Sequence, residues 1–467
     1  MKRTPKKTIK KKIAVVLSGD LFIRNYYYSG ALFALNNSFD VFLIIEKNIK
    51  IPEPLIGDNI FFYNSIDFKS QKKLITLFKL AAWKYKKYSK TFQFKFLVDY
   101  VSKSKFNFLR KKISWVYYSL FTLPIIYDVI SLFKISLLPT NNSLFSTLCK
   151  LRPDLVILPT KAFEHETIDL VRISKNLNFK TLYLMDNWDN LSSKTIFLRR
   201  PDHIGVWGKQ SAEHAKTIQF FENDQITCIG TPRFDNYLLS REKNISSLFP
   251  FKYILFVGTL KVFDEISVLK LINKIIEKNK EKLGNLKVVY RPYPDINRSY
   301  SSNLKNYSNI VIDPQLEDYF YSNSDSFYVH KEGWWVNIGK HQGAIPTEEY
   351  LPGIIKNAEF LIGGITSMVV ESLYFQKKFL VLAHEEKNNI WSPRNMFENF
   401  IHFSPLRNFD EIKICEDLDN LEKIILYLCN HRKITSKKKL DEKRRYICFD
   451  DKYSYAERLN KLCNNIL

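Results

Sequence analysis

Short unbroken apolar runs alternate along this chain with stretches in which apolar residues recur every three or four positions. Runs at 12–18, 39–45, 155–159, 181–185, 204–207 and 226–229 have the length of strands buried on both faces. Helical spacing over 27–35, 166–177 and 211–221 predicts helices between them. The second half repeats the pattern, with strands at 253–257, 286–290, 310–312, 359–362 and 379–383. Helices are predicted there over 263–279, 349–357 and 367–375. Such alternation predicts parallel sheets covered by helices on both faces. A polar stretch at 238–250 reads as a linker. The predicted organisation is therefore a first lobe over 1–245, a second over 246–430 and a C-terminal helical segment over 431–467 that packs across them. Two lobes of this kind put a cleft at the carboxyl ends of their strands, where open α/β sheets bind ligands.

One region breaks the alternation. Residues 69–138 form a basic and aromatic helical insertion in the first lobe. Between Lys69 and Lys112 the chain carries fourteen Lys and Arg against one acid, Asp99. The next stretch, 114–133, holds a single charge, Asp128, and a central proline, Pro124. By length it can span a bilayer, yet Pro124, Asp128 and scattered aromatics favour a buried or membrane-dipping helical hairpin. With the lysines before it, the segment has the make-up of an interfacial patch on an anionic membrane. A protein held peripherally at the inner, cytoplasmic face of a cell membrane is the expectation.

Composition narrows the function classes. The chain is 45% hydrophobic and 15% aromatic, enough for two packed cores and incompatible with a disordered chain. Its net charge of +23 calls for an anionic partner: nucleic acid, lipid or a phosphorylated substrate. The six cysteines form no Cys-x-x-Cys pair and are too sparse for a disulfide framework, which fits a reduced setting. The apolar run at 13–17 is too short for a signal peptide. No metal-ligand spacing, P-loop or Gly-x-Gly-x-x-Gly motif occurs, so neither a metal nor a cofactor is expected.

The candidate chemistry begins at Gly363-Gly364-Ile365-Thr366-Ser367, a turn between a predicted strand and a predicted helix. Glycines there allow close backbone approach, and Thr366 and Ser367 offer hydroxyls, although Ser and Thr also start many ordinary helices. Glu371 follows one turn later on the same face, placed to accept from ribose hydroxyls. Arg291, at a strand end before Pro292, can fork onto a phosphate. In the first half, Asp186 and Asp189 follow the 181–185 strand, and either can take a proton from an acceptor hydroxyl or simply cap a turn. His165, between Glu164 and Glu166, is the second-choice base. Lys194 and Arg233 are the remaining cations for a phosphate or an acceptor.

These segments carry a family resemblance. The Gly363-Gly364-x-Thr366-Ser367 turn with Glu371 and the Phe379-Leu-Val-Leu382 strand resembles the donor half of GT-B glycosyltransferases. The similarity is greatest to bacterial surface-polysaccharide and CDP-glycerol-transferase-like proteins. The run from Val288 to Asp295, Val-Val-Tyr-Arg-Pro-Tyr-Pro-Asp, is similar to that branch's strand and Arg/Lys-Pro-His-Pro element, with Tyr293 where a His is the rule. The Asp186-Asn-Trp-Asp-Asn, Val206-Trp-Gly and Gly230-Thr-Pro-Arg-Phe-Asp segments resemble its N-terminal lobe. The resemblance implies two Rossmann-like lobes, a nucleotide-activated sugar or CDP-polyol donor in the second lobe and a glycan or lipid-linked acceptor. It also implies transfer without a metal. Alternatives within the same architecture are a polyol phosphate transferase and a UDP-GlcNAc 2-epimerase-like enzyme. A non-enzymatic polyanion-binding protein is the alternative outside it, and no nucleic-acid motif supports it.

Overall fold

The computed structural model describes residues 10–49, 59–102, 108–194, 196–259, 263–293, 304, 306–314, 328–331, 334–337, 350–431 and 436–467. Fifteen strands occur among them. The first seven are β1 (Lys12–Leu17), β2 (Asp40–Glu46), β3 (Ile60–Tyr63), β4 (Leu155–Thr160), β5 (Lys180–Met185), β6 (His203–Val206) and β7 (Ile226–Cys228). They form one sheet in the order β3-β2-β1-β4-β5-β6-β7, with every pairing parallel. The next are β8 (Lys252–Val257), β9 (Leu286–Arg291), β10 (Ile310–Ile312), β11 (Tyr328–Lys331) and β12 (Trp334–Asn337). The last are β13 (Leu361–Gly363), β14 (Phe379–Leu382) and β15 (Ile412–Cys415). A second parallel sheet runs β10-β9-β8-β13-β14-β15, while β11 and β12 pair antiparallel as a separate hairpin.

The strands are short and apolar because both faces are covered. All six residues of β4 are buried, as are five of six in β1, β5 and β8. Helix Glu166–Leu177 lays Leu170, Val171 and Ile173 on the first sheet, beside Val156, Leu158 and Tyr183. In the second unit, helix Glu265–Lys278 does the same with Val268, Leu269, Ile272 and Ile276 against Ile254, Phe256 and Val288. Burying such side chains contributes roughly 1.5–3 kcal/mol each, so the two apolar layers dominate the stability.

The chain divides into two compact units differently from the sequence expectation. The first comprises 1–93, 103–232 and 449–467, the second 94–102 and 233–448. The boundary lies at 232/233, not near 245, because the stretch read as a linker begins as helix Asp235–Glu242. Tyr237 and Ser240 are buried there, and Phe234 packs its ring 4.5 Å from that of Tyr374. The C-terminal segment also splits. Helix Lys437–Ile447 belongs to the second unit and helix Tyr455–Ile466 to the first, each started by its own serine cap, Ser436 and Ser454. A helix predicted over 27–35 is absent. A short helix Asp20–Phe22 runs into a wide helical turn, Ile23–Tyr28, and Gly30 at φ 76° breaks the path before helix Leu35–Ser38. The 69–138 insertion is helical, with helices Phe68–Lys84, Lys90–Ser102, Phe108–Phe121 and Pro124–Ser136.

Candidate functional site

In the second sheet the chain leaves β8 toward β9 and β10 on one side, then returns through β13 to β14 and β15 on the other. The gap between the carboxyl ends of β8 and β13 is thus a topological switch point, the place where open parallel sheets receive ligands. Gly258 and Thr259 follow β8, and the 363–367 turn follows β13. The two loops touch, and glycine is what lets them. A Cβ on Gly364 would stand 2.8 Å from a ring carbon of Phe263 and 3.1 Å from Thr259 Oγ1. A Cβ on Gly258 would stand 2.6 Å from the Tyr293 nitrogen, so that glycine admits the segment after β9. Glu265 holds this loop from below: its carboxylate accepts from Thr259 N at 2.6 Å and from Tyr290 OH at 2.7 Å, and it is buried. Thr366 Oγ1 accepts from Met368 N at 3.3 Å, a local bond just before helix Met368–Tyr374, whose N-cap is Ser367.

The charged candidates of this unit come as fixed pairs. Glu371 is 2% exposed and receives Arg233 Nη2 at 2.9 Å and Tyr237 OH at 2.6 Å. Burial first, and the neighbouring Glu371 next, push the Tyr237 phenol well above its usual range, so it stays a donor. Arg233 therefore stands with the donor-side residues of the second unit, not in the first lobe where the sequence put it. Arg291, at the end of β9, pairs through Nη1 with Asp313, which is fully buried and also receives the Tyr350 hydroxyl. The Pro294 and Asp295 end of the Arg291 motif lies outside the described residues.

Sequence reasoning missed His384, the second residue after β14. It is 6% exposed, meets the Phe263 ring edge-on at 5.3 Å, and its Nδ1 has no hydrogen-bond partner among the described residues. Burial lowers its pKa, which keeps the ring neutral near pH 7. The signal was available: a polar residue closing an apolar strand beside the glycine turn. Thr259 and Glu265 carried no such signal, because only the fold brings them to the switch point.

The first sheet has its own switch point, between β1 and β4. Asp186 lies at that edge, with its main-chain nitrogen bonded to Thr160 O at 3.0 Å. Its Oδ1 accepts from Asn25 Nδ2 at 3.0 Å, and the residue is 4% exposed. Asn25 comes from the wide turn after β1, so segments following β1, β4 and β5 meet at this residue. Asp189 differs. Ser193 Oγ donates to it at 2.7 Å and Lys194 Nζ stands 3.4 Å away, a local arrangement that closes the turn Asn190–Lys194. His165 is buried, with Nδ1 3.0 Å from Asp169 Oδ2 and Nε2 lacking a hydrogen-bond partner among the described residues. Asp169 is held in turn by Asn141 N at 2.8 Å. Glu164 binds the Thr160 hydroxyl, and Glu166 receives Tyr63 OH at 2.8 Å. Burial pushes both carboxyls, and that of Asp20, above the usual range.

Among the described residues no group of three or more His, Cys, Asp or Glu is arranged to hold a metal ion. No protein-family model and no curated protein matches the sequence. Solved structures do match the fold. The UDP-GlcNAc 2-epimerase of Methanocaldococcus jannaschii aligns over 97% of this chain and 99% of its own, with a TM-score of 0.50 and 11% identity. The UDP-GlcNAc 2-epimerase of Neisseria meningitidis bound to UDP-GlcNAc aligns over 97% and 100%, with a TM-score of 0.50 and 10% identity. At that identity the likeness shows the fold: two parallel Rossmann-like α/β units of the GT-B type, as the resemblance implied.

Proposed function

We propose that the chain is a GT-B glycosyltransferase that takes its sugar from a nucleotide-activated donor and passes it to a glycan or lipid-linked acceptor. The observation that carries this reading is the second switch point. There Gly364 lets the 363–367 turn close on Thr259 and Phe263, Gly258 lets the segment after β9 approach the same loop, and Thr259, Thr366 and Ser367 line the same sheet edge. Backbone that close, with hydroxyls beside it, suits a nucleotide diphosphate. Asp313 and Glu371 hold the guanidinium groups of Arg291 and Arg233 in place, and preorganised cations of this kind offset leaving-group charge. In the first unit Asp186, oriented by Asn25, is the proposed base for the acceptor hydroxyl, with His165 and its Asp169 partner as the rival.

Thermal-shift measurements with UDP-, CDP-, GDP- and TDP-linked compounds test the donor site, since a bound ligand raises the melting temperature by mass action. A flat response to all four sinks it. The reaction is then read from products. Nucleoside diphosphate released only when acceptor is present means sugar transfer. CMP released from CDP-glycerol means polyol phosphate transfer. Conversion of UDP-GlcNAc to its 2-epimer without acceptor means an epimerase, the activity named for the two structures of similar fold.

A further inference from the structure

The insertion in the first unit presents its apolar side outward. Helix Phe108–Phe121 ends at a turn, and Pro124 opens the next helix, Pro124–Ser136; the segments Trp115–Phe121 and Pro124–Ser136 meet at 91°. The inner side of the second helix is anchored. Ile135, with Leu138 just beyond it, joins Leu74, Leu77, Phe78 and Ile168 in a small buried cluster, and Trp83 stacks on Tyr118 with ring centroids 5.2 Å apart. The outer side is not covered. Ile125, Val129, Leu132 and Phe133 are 80%, 61%, 53% and 63% exposed, spaced to share one helix face, and Asp128 is the charge among them. On the preceding helix Ile113 and Val116 are 61% and 55% exposed, beside an exposed Trp115. Helix faces normally bury such residues, and a contiguous outward apolar face marks an interaction surface.

What covers it follows from charge and length. Exposed Lys73 and Lys79 stand on helix Phe68–Lys84, which packs against both members of the pair, and exposed Lys112 precedes Ile113. Acids are scarce there, as the fourteen Lys and Arg against Asp99 between Lys69 and Lys112 show. Among the described residues no single helix is long and apolar enough to cross a membrane; the bent pair reaches that length only as a broken span. A second helix of 13 residues is about 20 Å long, short of the hydrocarbon thickness, and the bend turns it aside. We propose that this pair docks in the headgroup layer of an anionic lipid bilayer, its apolar face inserted among the acyl chains and the lysines on lipid phosphates.

The full chain tests this by co-sedimentation with vesicles of phosphatidylglycerol and phosphatidylcholine in equal parts, against phosphatidylcholine alone. Binding to the anionic vesicles, falling about tenfold on pure phosphatidylcholine or at high salt, is expected. The combined change Ile125→Asp, Val129→Asp and Phe133→Asp should lower it by a further factor of about ten at an unchanged melting temperature. Should that variant melt early, Ile125→Ser with Phe133→Ser replaces it and must weaken binding several-fold. The proposal fails if the wild type ignores anionic vesicles, or if the folded variants bind them as well as the wild type does. It also fails if the wild type is a dimer that the variants dissolve while vesicle binding stays absent, because the face then covers a second copy of the chain. Nucleotide binding is measured without lipid, so this result and the donor-site result stand independently.

Discussion

The two sheets share a topology and differ at the edge that matters. Each has a switch point, between β1 and β4 in one and between β8 and β13 in the other. The first edge gathers acids and a histidine: the buried Glu164, His165, Glu166, Asp169 and Asp186, with a half-buried Asp20. The second gathers glycines, hydroxyls and arginines, with Glu371 and Asp313 neutralised by their partners. One backbone plan thus carries two different sets of side chains. Carboxylates beside an imidazole suit proton removal, whereas tight glycine loops with fixed cations suit a bound diphosphate. The comparison teaches that topology fixes where ligands can go, and that the few residues past each strand end decide which.

The sharpest way to break this division is Asp186→Ala. Turnover should fall about 10²–10⁴-fold while nucleotide affinity, measured by calorimetry, holds. Loss of affinity would mean that the first edge also holds the donor, and an unaffected rate alongside a dead His165→Ala would move the base to His165. Next in size is Arg233→Ala, which leaves the buried Glu371 carboxylate without its cation. A loss of about 3 kcal/mol in denaturant melts is expected, and a loss under about 1 kcal/mol would show the pair to be incidental.

Acid separates the regions in a different way. Burial lowers His214 of the first unit from its usual 6.5 to about 4. Its folded state resists the proton, so its contribution is fully present above pH 6.5 and is lost as pH falls from 6.5 toward 4, by about 3 kcal/mol in all. His384 in the second unit is shifted in the same direction. Glu164 and Glu166 work oppositely. Their raised carboxyls bind protons more readily when folded, so they add stability as pH falls through the carboxylate range. His214→Gln should therefore flatten the acid limb of a melting-temperature profile between pH 6.5 and 4; an unchanged limb would remove His214 as its cause.

Smaller effects refine the second edge. Gly364→Val drives a side chain into Phe263 and Thr259, and the overpacking should cost about 2 kcal/mol together with most of the nucleotide affinity. Tyr237→Phe removes one donor to Glu371 and should cost only about 1 kcal/mol, seen as a small shift of the denaturation midpoint. If Gly364→Val keeps full nucleotide affinity, the second switch point is not the donor site.

Much of the frame was legible beforehand. Every strand predicted in the first unit exists within a residue or two, as at 155–159 against β4 and 181–185 against β5, because buried parallel strands leave no polar positions to confuse the pattern. The 27–35 helix fails because Gly30 and a wide turn intervene, and the 238–250 linker reading overlaps the end of helix Asp235–Glu242 because residues 238–242 show mostly polar positions there. The 363–367 turn was equally visible, as a strand followed by glycines and hydroxyls. Its partners were not. Nothing in the order of residues joins Glu371 to Arg233 and Tyr237, more than a hundred positions away, or Asp186 to Asn25, or Gly364 to Thr259. Periodicity reports local burial, so the sequence by itself determined the parallel sheets, the glycine turn and the basic, apolar insertion. Which carboxylate meets which cation, which ring nitrogen is left unpaired and which face of the insertion points outward are contacts between distant segments, and only the tertiary structure decides those.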